Sequence, residues 1–259
     1  MHVAPGDLRT VRQDGMILRF AMLDSMAYAL AEIPATGSSG TSLERPCTDP
    51  HWGFVVKGEL TFATDDERET IPAGRAFHVP PGGRSHRFET PGAAVIAGFA
   101  PIAPDTDVSV AGLAAQGFEP VQTRSTATVV PALAQRKVGT GQIRAESWAM
   151  SQYRLMRVQM GERSGFNAGW CDAPHWGLVT SGRMAIEWED DIEILATGDV
   201  FHCPAGPPGH RAEAADPASF IDLTPVAAFE SSGRISEWRR DLALASPQRS
   251  RGIAVAALG

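Results

Sequence analysis

The stretch Cys47-Thr48-Asp49-Pro50-His51-Trp52-Gly53 returns as Cys171-Asp172-Ala173-Pro174-His175-Trp176-Gly177. Both blocks read Cys-x-x-Pro-His-Trp-Gly, and the residues after them stay in step. Gly58, Gly74, Phe77, His78, Pro80 and His86 recur as Gly182, Gly198, Phe201, His202, Pro204 and His210. A single offset of 124 positions relates every pair, with no gap between the first match and the last. Self-similarity at a fixed spacing marks a duplicated structural unit. Six of the seven histidines fall in these pairs, and only His2 stands outside them. The residues that stay matched include a set able to bind metal.

Working outward, the repeat divides the 259 residues into two domains. The expected boundaries are 1–105 for the first, 106–130 for a linker and 131–259 for the second. Each domain is long enough to bury a core of its own. Within each, short apolar runs alternate with turn signals at about 8–12 residues, the rhythm of an all-β sandwich or small barrel. His51 to Val56 and Glu59 to Ala63 read as strands, and Asp65-Asp66 as a hairpin turn echoed by Asp190-Asp191. Arg75 to Val79 is the next strand. After Pro80-Pro81-Gly82-Gly83, a last strand begins at His86, placing His78 nearly opposite His86. Helices are expected only near Val110 to Gln116 in the linker and at Ile235 to Leu244. The tail 252–259 is small and apolar.

Composition narrows the function. A net charge of −7 without long charged runs argues against nucleic acid or an anionic membrane as partner. No run of about 18 apolar residues is present to span a bilayer, and residues 1–14 lack the apolar core of a secretion signal. Three cysteines make a disulfide framework an unlikely design. The expectation is a cytoplasmic protein with free or metal-bound thiols, acting on a small molecule and compatible with homo-oligomerisation.

The repeated residues resemble the cupin superfamily. Its first motif runs G-x5-H-x-H-x3-4-E-x6-G and its second G-x5-P-x-G-x2-H-x3-N. Gly58 and Gly182 close the first motif. Gly74, Pro80, Gly82 and His86 follow the second with one extra residue before the His, and Gly198, Pro204, Gly206 and His210 repeat that extension. The resemblance implies a bicupin: two tandem jelly-roll-like β-barrels, with minor helices in the linker and near the C-terminus. This chain departs from the family at the metal ligands. The usual Glu position holds His51 and His175, and the usual second His position holds Cys47 and Cys171. The usual first His position holds Arg45 and Gly169.

A thiolate with imidazoles is a borderline-soft donor set that suits Zn(II) better than Mn(II). The expected ligands are Cys47, His51, His78 and His86 in the first barrel, and Cys171, His175, His202 and His210 in the second, about one metal per barrel. Zn is the expected ion, with Fe or another divalent metal as alternatives. Whether His78 and His202 bind stays open. With them the site is closed, which suits a structural or sensor role. Without them three ligands leave a position for water or substrate, which suits an enzyme: a hydrolase, isomerase or lyase, or an Fe(II) dioxygenase. Cys203 reads as a core thiol facing away from the cavity. Trp52 and Trp176 read as core, and Glu89 and Glu213 as surface.

Overall fold

The computed structural model describes residues 2–3, 5–13, 16–35, 41–42, 50–65, 67–80, 86–101, 119–120, 143–165, 170–214 and 216–231. Contacts divide them into two compact units. One falls within Asp7–Ser125 and the other within Thr126–Arg251, the latter joined by the start of the chain. The expected helices at 110–116 and 235–244, the tail and Cys47 lie outside the described residues.

Each unit is two antiparallel sheets facing one another. In the first, a seven-stranded sheet runs in the order Glu119–Pro120, Arg9–Gln13, Met16–Leu23, Met26–Ile33, Ala94–Pro101, His51–Lys57 and Ala76–Val79. Its four-stranded companion runs Thr41–Ser42, Arg87–Thr90, Glu59–Ala63 and Arg68–Pro72. In the second unit, the larger sheet runs His2–Val3, Val200–Cys203, His175–Ser181, Ala218–Pro225, Tyr153–Met160 and Ile143–Met150. The smaller runs Ser164–Gly165, His210–Ala214, Arg183–Trp188 and Ile192–Ala196. The start of the chain thus covers the edge strand Val200–Cys203, pairing His2 with Phe201 and Val3 with Val200. An edge covered in this way offers no row of unpaired backbone groups.

The cores lie between the sheets. Met156, Val158, Val179 and Phe220 of one sheet meet Met184, Ile186 and Leu195 of the other in the second unit. Met16, Val55, Phe77 and Ile96 meet Leu60, Phe62 and Ile71 in the first. The period-2 alternation of each strand puts these residues on one face.

Sequence features explain the local geometry. Gly58 and Gly182 have φ of 78° and 75°, a left-handed backbone that suits glycine in the tight turn after the motif strand. Gly177 stands opposite Phe201, and a Cβ there would lie 2.1 Å from the ring. Gly53 and Phe77 repeat the same contact at 2.1 Å. The glycine of the Pro-His-Trp-Gly block is therefore the space a phenylalanine ring occupies. A short helix at Val226–Ser231 follows the last strand of the second unit, where none was expected. No helix among the described residues is long and apolar enough to cross a membrane.

One expectation about connectivity is corrected. The strand ending at Val79 and the strand starting at Arg87 are not a hairpin. The first pairs with His51–Lys57 and the second with Glu59–Ala63 in the other sheet. Likewise Val200–Cys203 pairs with the larger sheet and His210–Ala214 with the smaller one. The Pro-Gly turn carries the chain from sheet to sheet, so His78 and His86 are not cross-strand neighbours, and neither are His202 and His210.

Candidate metal centre

In the second unit Cys171, His175 and His210 converge, each offering one ligand atom, all within 4.8 Å of one another. Backbone pairing sets this up. Cys171 N–H donates to His210 O at 2.7 Å, and His210 N–H donates to Cys171 O at 3.0 Å. This isolated antiparallel bridge places the two residues directly opposite, and opposed residues share a face. His175 opens the neighbouring strand, with its Nε2 at 3.3 Å from Cys171 Sγ. Its ring meets that of His210 edge-on at 5.1 Å.

A fourth residue holds His175 in place. Asp222 Oδ2 lies 2.6 Å from His175 Nδ1. On the paired strand Asp222 stands opposite Gly177, two positions from His175. Diagonal neighbours share a face, and Gly177 has no side chain to obstruct the reach. Asp222 is buried, and its Oδ1 has no hydrogen-bond partner among the described residues. His210 Nδ1 is also buried without one.

Electrostatics follow from these contacts. Burial pushes the Cys171 thiol up, but the hydrogen bond and charge of His175 more than offset this and leave its pKa below the ordinary thiol value. Burial favours neutral His175, yet the hydrogen bonds it donates to Asp222 and Cys171 win and raise its pKa to about 10. Burial and the neighbouring His175 charge push His210 down to about 3. Among these four residues, His175 is an imidazolium held between Asp222 and Cys171, the Cys171 thiol ionises more readily than an ordinary one, and His210 is a neutral imidazole.

These residues fit a metal ion. A thiolate at about 2.3 Å and an imidazole at about 2.0 Å from a tetrahedral metal stand about 3.5 Å apart, close to the observed 3.3 Å between Sγ and Nε2. Asp222 supplies the partner on the far ring nitrogen that orients a metal-binding histidine.

His202 stands elsewhere. It pairs with Trp176, not with His175, and stacks on that indole at 5.2 Å and 10°. Alternation puts Trp176 and His202 on the face opposite His175. His78 repeats this against Trp52, at 5.0 Å and 23°, and burial lowers its pKa. The expectation that His78 and His202 turn into the metal cavity is corrected: the sheet-to-sheet connection removes the hairpin it assumed. Both indoles are buried, as expected of core residues. Cys203, expected to face away, instead stands opposite His175 and lines the cavity beside it.

The first unit matches only in part. His51 and His86 meet edge-on at 5.5 Å, and His86 is fully buried. Cys47 lies outside the described residues. Gly98 occupies the position matching Asp222 and stands opposite Gly53, so that strand position offers His51 no carboxylate. Phe62 stacks on His86 at 5.0 Å, and Phe88 meets the same ring at 5.3 Å. The matching residues of the second unit are Ile186 and Ala212, which line a cavity of about 50 Å³.

Asp222 was the functional residue that sequence reasoning missed. Its signal was a single acid inside the strand Ala218–Pro225, amid Phe220, Ile221 and Leu223. Comparing repeats hid it, because the first copy holds glycine there.

Residues 30–98 match the Cupin domain family. Among curated proteins, none matches the sequence. Among solved structures, AerE from Microcystis aeruginosa is similar at a TM-score of 0.58 and 14% identity, covering 85% of this chain and 97% of its own. Oxalate decarboxylase from Bacillus subtilis is similar at 0.58 and 12%, covering 87% and 76%. A further structure of that enzyme, described for its Mn(II) centres, is similar at 0.56 and 13%, covering 87% and 77%. At these identities the likeness is one of fold. Together with the family match it supports the cupin superfamily, with two β-barrel-like domains in tandem.

Proposed function

We propose that this cupin-fold chain binds a divalent metal, Zn(II) in first place, at Cys171, His175 and His210, and uses it to bind and act on a small organic molecule. The convergence of these three ligand atoms within 4.8 Å, with Asp222 behind His175, is the observation that carries the reading. Sulfur among the donors favours Zn(II) over the Mn(II) preferred by oxygen ligands. Three protein ligands leave a coordination position for water or substrate. The turning away of His202 favours this open arrangement over a closed structural or sensor site. When bound, the metal would polarise an oxygen of the ligand or activate water. His51 and His86 make the first barrel a second candidate, weaker for lack of a carboxylate like Asp222.

The protein's own groups supply the rest. His210 is neutral and ready to bind, the Cys171 thiol gives up its proton more readily than an ordinary thiol, and Asp222 holds the His175 ring with Nε2 toward Cys171. Metal analysis by mass spectrometry tests the reading. The purified protein should hold Zn, and Cys171→Ser and His210→Ala should each remove the metal of the second barrel. Zn retained by both variants would overturn it.

A second reading rests on the Cys171–His175–Asp222 relay itself. Without metal, the Cys171 thiol, eased toward ionisation by His175 with Asp222 behind it, is an activated nucleophile. A preparation free of metal, with Cys171 alkylated rapidly by iodoacetamide, would favour it.

A further inference from the structure

We infer that the second barrel's cavity takes a small, neutral, apolar molecule carrying a hydroxyl group, and not a dicarboxylate. The inference deepens the metal reading and rests on it only for the charge count given below. The cavity walls and the unpartnered Asp222 oxygen stand without it.

Size comes first. The cavity is about 50 Å³, room for about three to five water-sized groups. Its walls are Met156, Met184, Ile186, Ala212 and Phe220. Polar groups gather at one end: Cys171, His175, His210 and Asp222. A ligand filling this space is apolar over most of its surface and polar at one point.

Charge decides the head group. A divalent ion, the Cys171 thiolate and the Asp222 carboxylate sum to zero. A neutral ligand keeps that balance, whereas a dianion leaves two uncompensated charges among apolar side chains, which is costly. Arg211 is the one arginine or lysine lining the cavity among the described residues, and it is already engaged. Its Nε donates to Glu187 Oε2 at 2.7 Å, another of its nitrogens lies 2.6 Å from the same oxygen, and Glu213 is 3.5 Å away. Its guanidinium also lies 5.1 Å over the Trp170 ring. A carboxylate entering the cavity would have to displace these partners.

Hydrogen bonding adds the hydroxyl. Asp222 Oδ1 is a buried acceptor with no partner among the described residues, and leaving such a group unpaired is unfavourable. A ligand O–H satisfies it, whereas a carboxylate has no hydrogen to give.

The first barrel carries bulkier side chains at two of these wall positions. Phe62 and Phe88 stand where the second has Ile186 and Ala212, and both rings pack on His86. Ala212 and Ile186 are thus the wall positions where a phenylalanine would intrude on a ligand.

The test uses 2-methylpropan-1-ol, 2-methylpropanoate and malonate as probes, with binding to the purified full chain read by saturation-transfer NMR. Metal content is measured on the same samples. The alcohol should bind at least about tenfold more tightly than malonate and more tightly than the monoanion. Ala212→Phe should weaken the alcohol by about tenfold or more, with metal content and circular dichroism unchanged. Ile186→Phe serves the same purpose should the first variant fold poorly, and the probe comparison on the unsubstituted chain needs no variant. Malonate or 2-methylpropanoate binding as tightly as the alcohol, or filled variants that bind the alcohol unchanged, would overturn the inference. A metal-free preparation that still prefers the alcohol would instead overturn the metal reading and leave this one standing.

Discussion

His175 Nδ1 and Asp222 Oδ2 are 2.6 Å apart across two paired strands, with the side-chain-free Gly177 between them in the register. The contact fixes which ring nitrogen of His175 faces Cys171. Partners of this kind typically change metal affinity by about 10–100-fold when removed. Asp222→Asn should therefore weaken Zn binding by about that factor, measured by competition with a chromophoric chelator. An affinity within about twofold of the unsubstituted protein would show that the orientation of His175 is set elsewhere.

Metal uptake should depend on pH in a stated direction. His175 holds its proton up to about pH 10 in the metal-free protein, and a metal-bound imidazole must give it up. Binding thus releases a proton throughout the range below that value. Apparent affinity should rise by at least about tenfold per pH unit from neutrality toward about 10, then level off. His210, with a pKa of about 3, adds no proton above about pH 4. Calorimetry in buffers of different ionisation heat counts the released protons directly. A flat affinity between pH 6 and 9 would contradict the prediction.

His202 and Trp176 make a stability prediction separate from the metal. Their rings are nearly parallel at 5.2 Å in the buried face of the larger sheet. Such pairs contribute about 0.5–1.5 kcal/mol beyond burial. His202→Ala should lower the unfolding free energy measured in urea by at least about 0.5 kcal/mol and leave the Zn content unchanged. Loss of Zn would return His202 to the ligand set.

Gly177→Ala should destabilise the second unit by about 1–3 kcal/mol, the usual cost of forcing atoms into a packed core. The added Cβ would meet the Phe201 ring at 2.1 Å. Phe201 lines the cavity, so the ring displaced by the methyl group should also alter the binding of 2-methylpropan-1-ol. Denaturant unfolding and the NMR probe read the two effects separately.

The fold was legible because a repeated motif displays itself. Identical spacing from Cys47 to His86 and from Cys171 to His210 points to two β units of similar plan, and turn residues at short intervals mark strands. The strands after the motif match to the residue, His51–Lys57 with His175–Ser181 and Ala94–Pro101 with Ala218–Pro225. Part of the site was legible for the same reason, since Cys171, His175 and His210 came from the motif.

What the sequence hid was which sheet each strand joins. A Pro-Gly turn between two strand signals looks alike whether it closes a hairpin or crosses a barrel. That ambiguity sent His202 to the wrong face and Cys203 away from a cavity it lines. Asp222 was hidden for a different reason. It acts through a diagonal contact with a residue 47 positions earlier, a proximity that no local spacing encodes.

The pairing of His2 and Val3 with Phe201 and Val200 has a practical consequence for anyone dissecting the chain. Expressing the second barrel alone from position 126 onward would strip that flank and bare the backbone of the strand that carries Cys203. Such a fragment should self-associate through the naked flank. A peptide copying the first six residues, supplied separately, should reverse that added self-association.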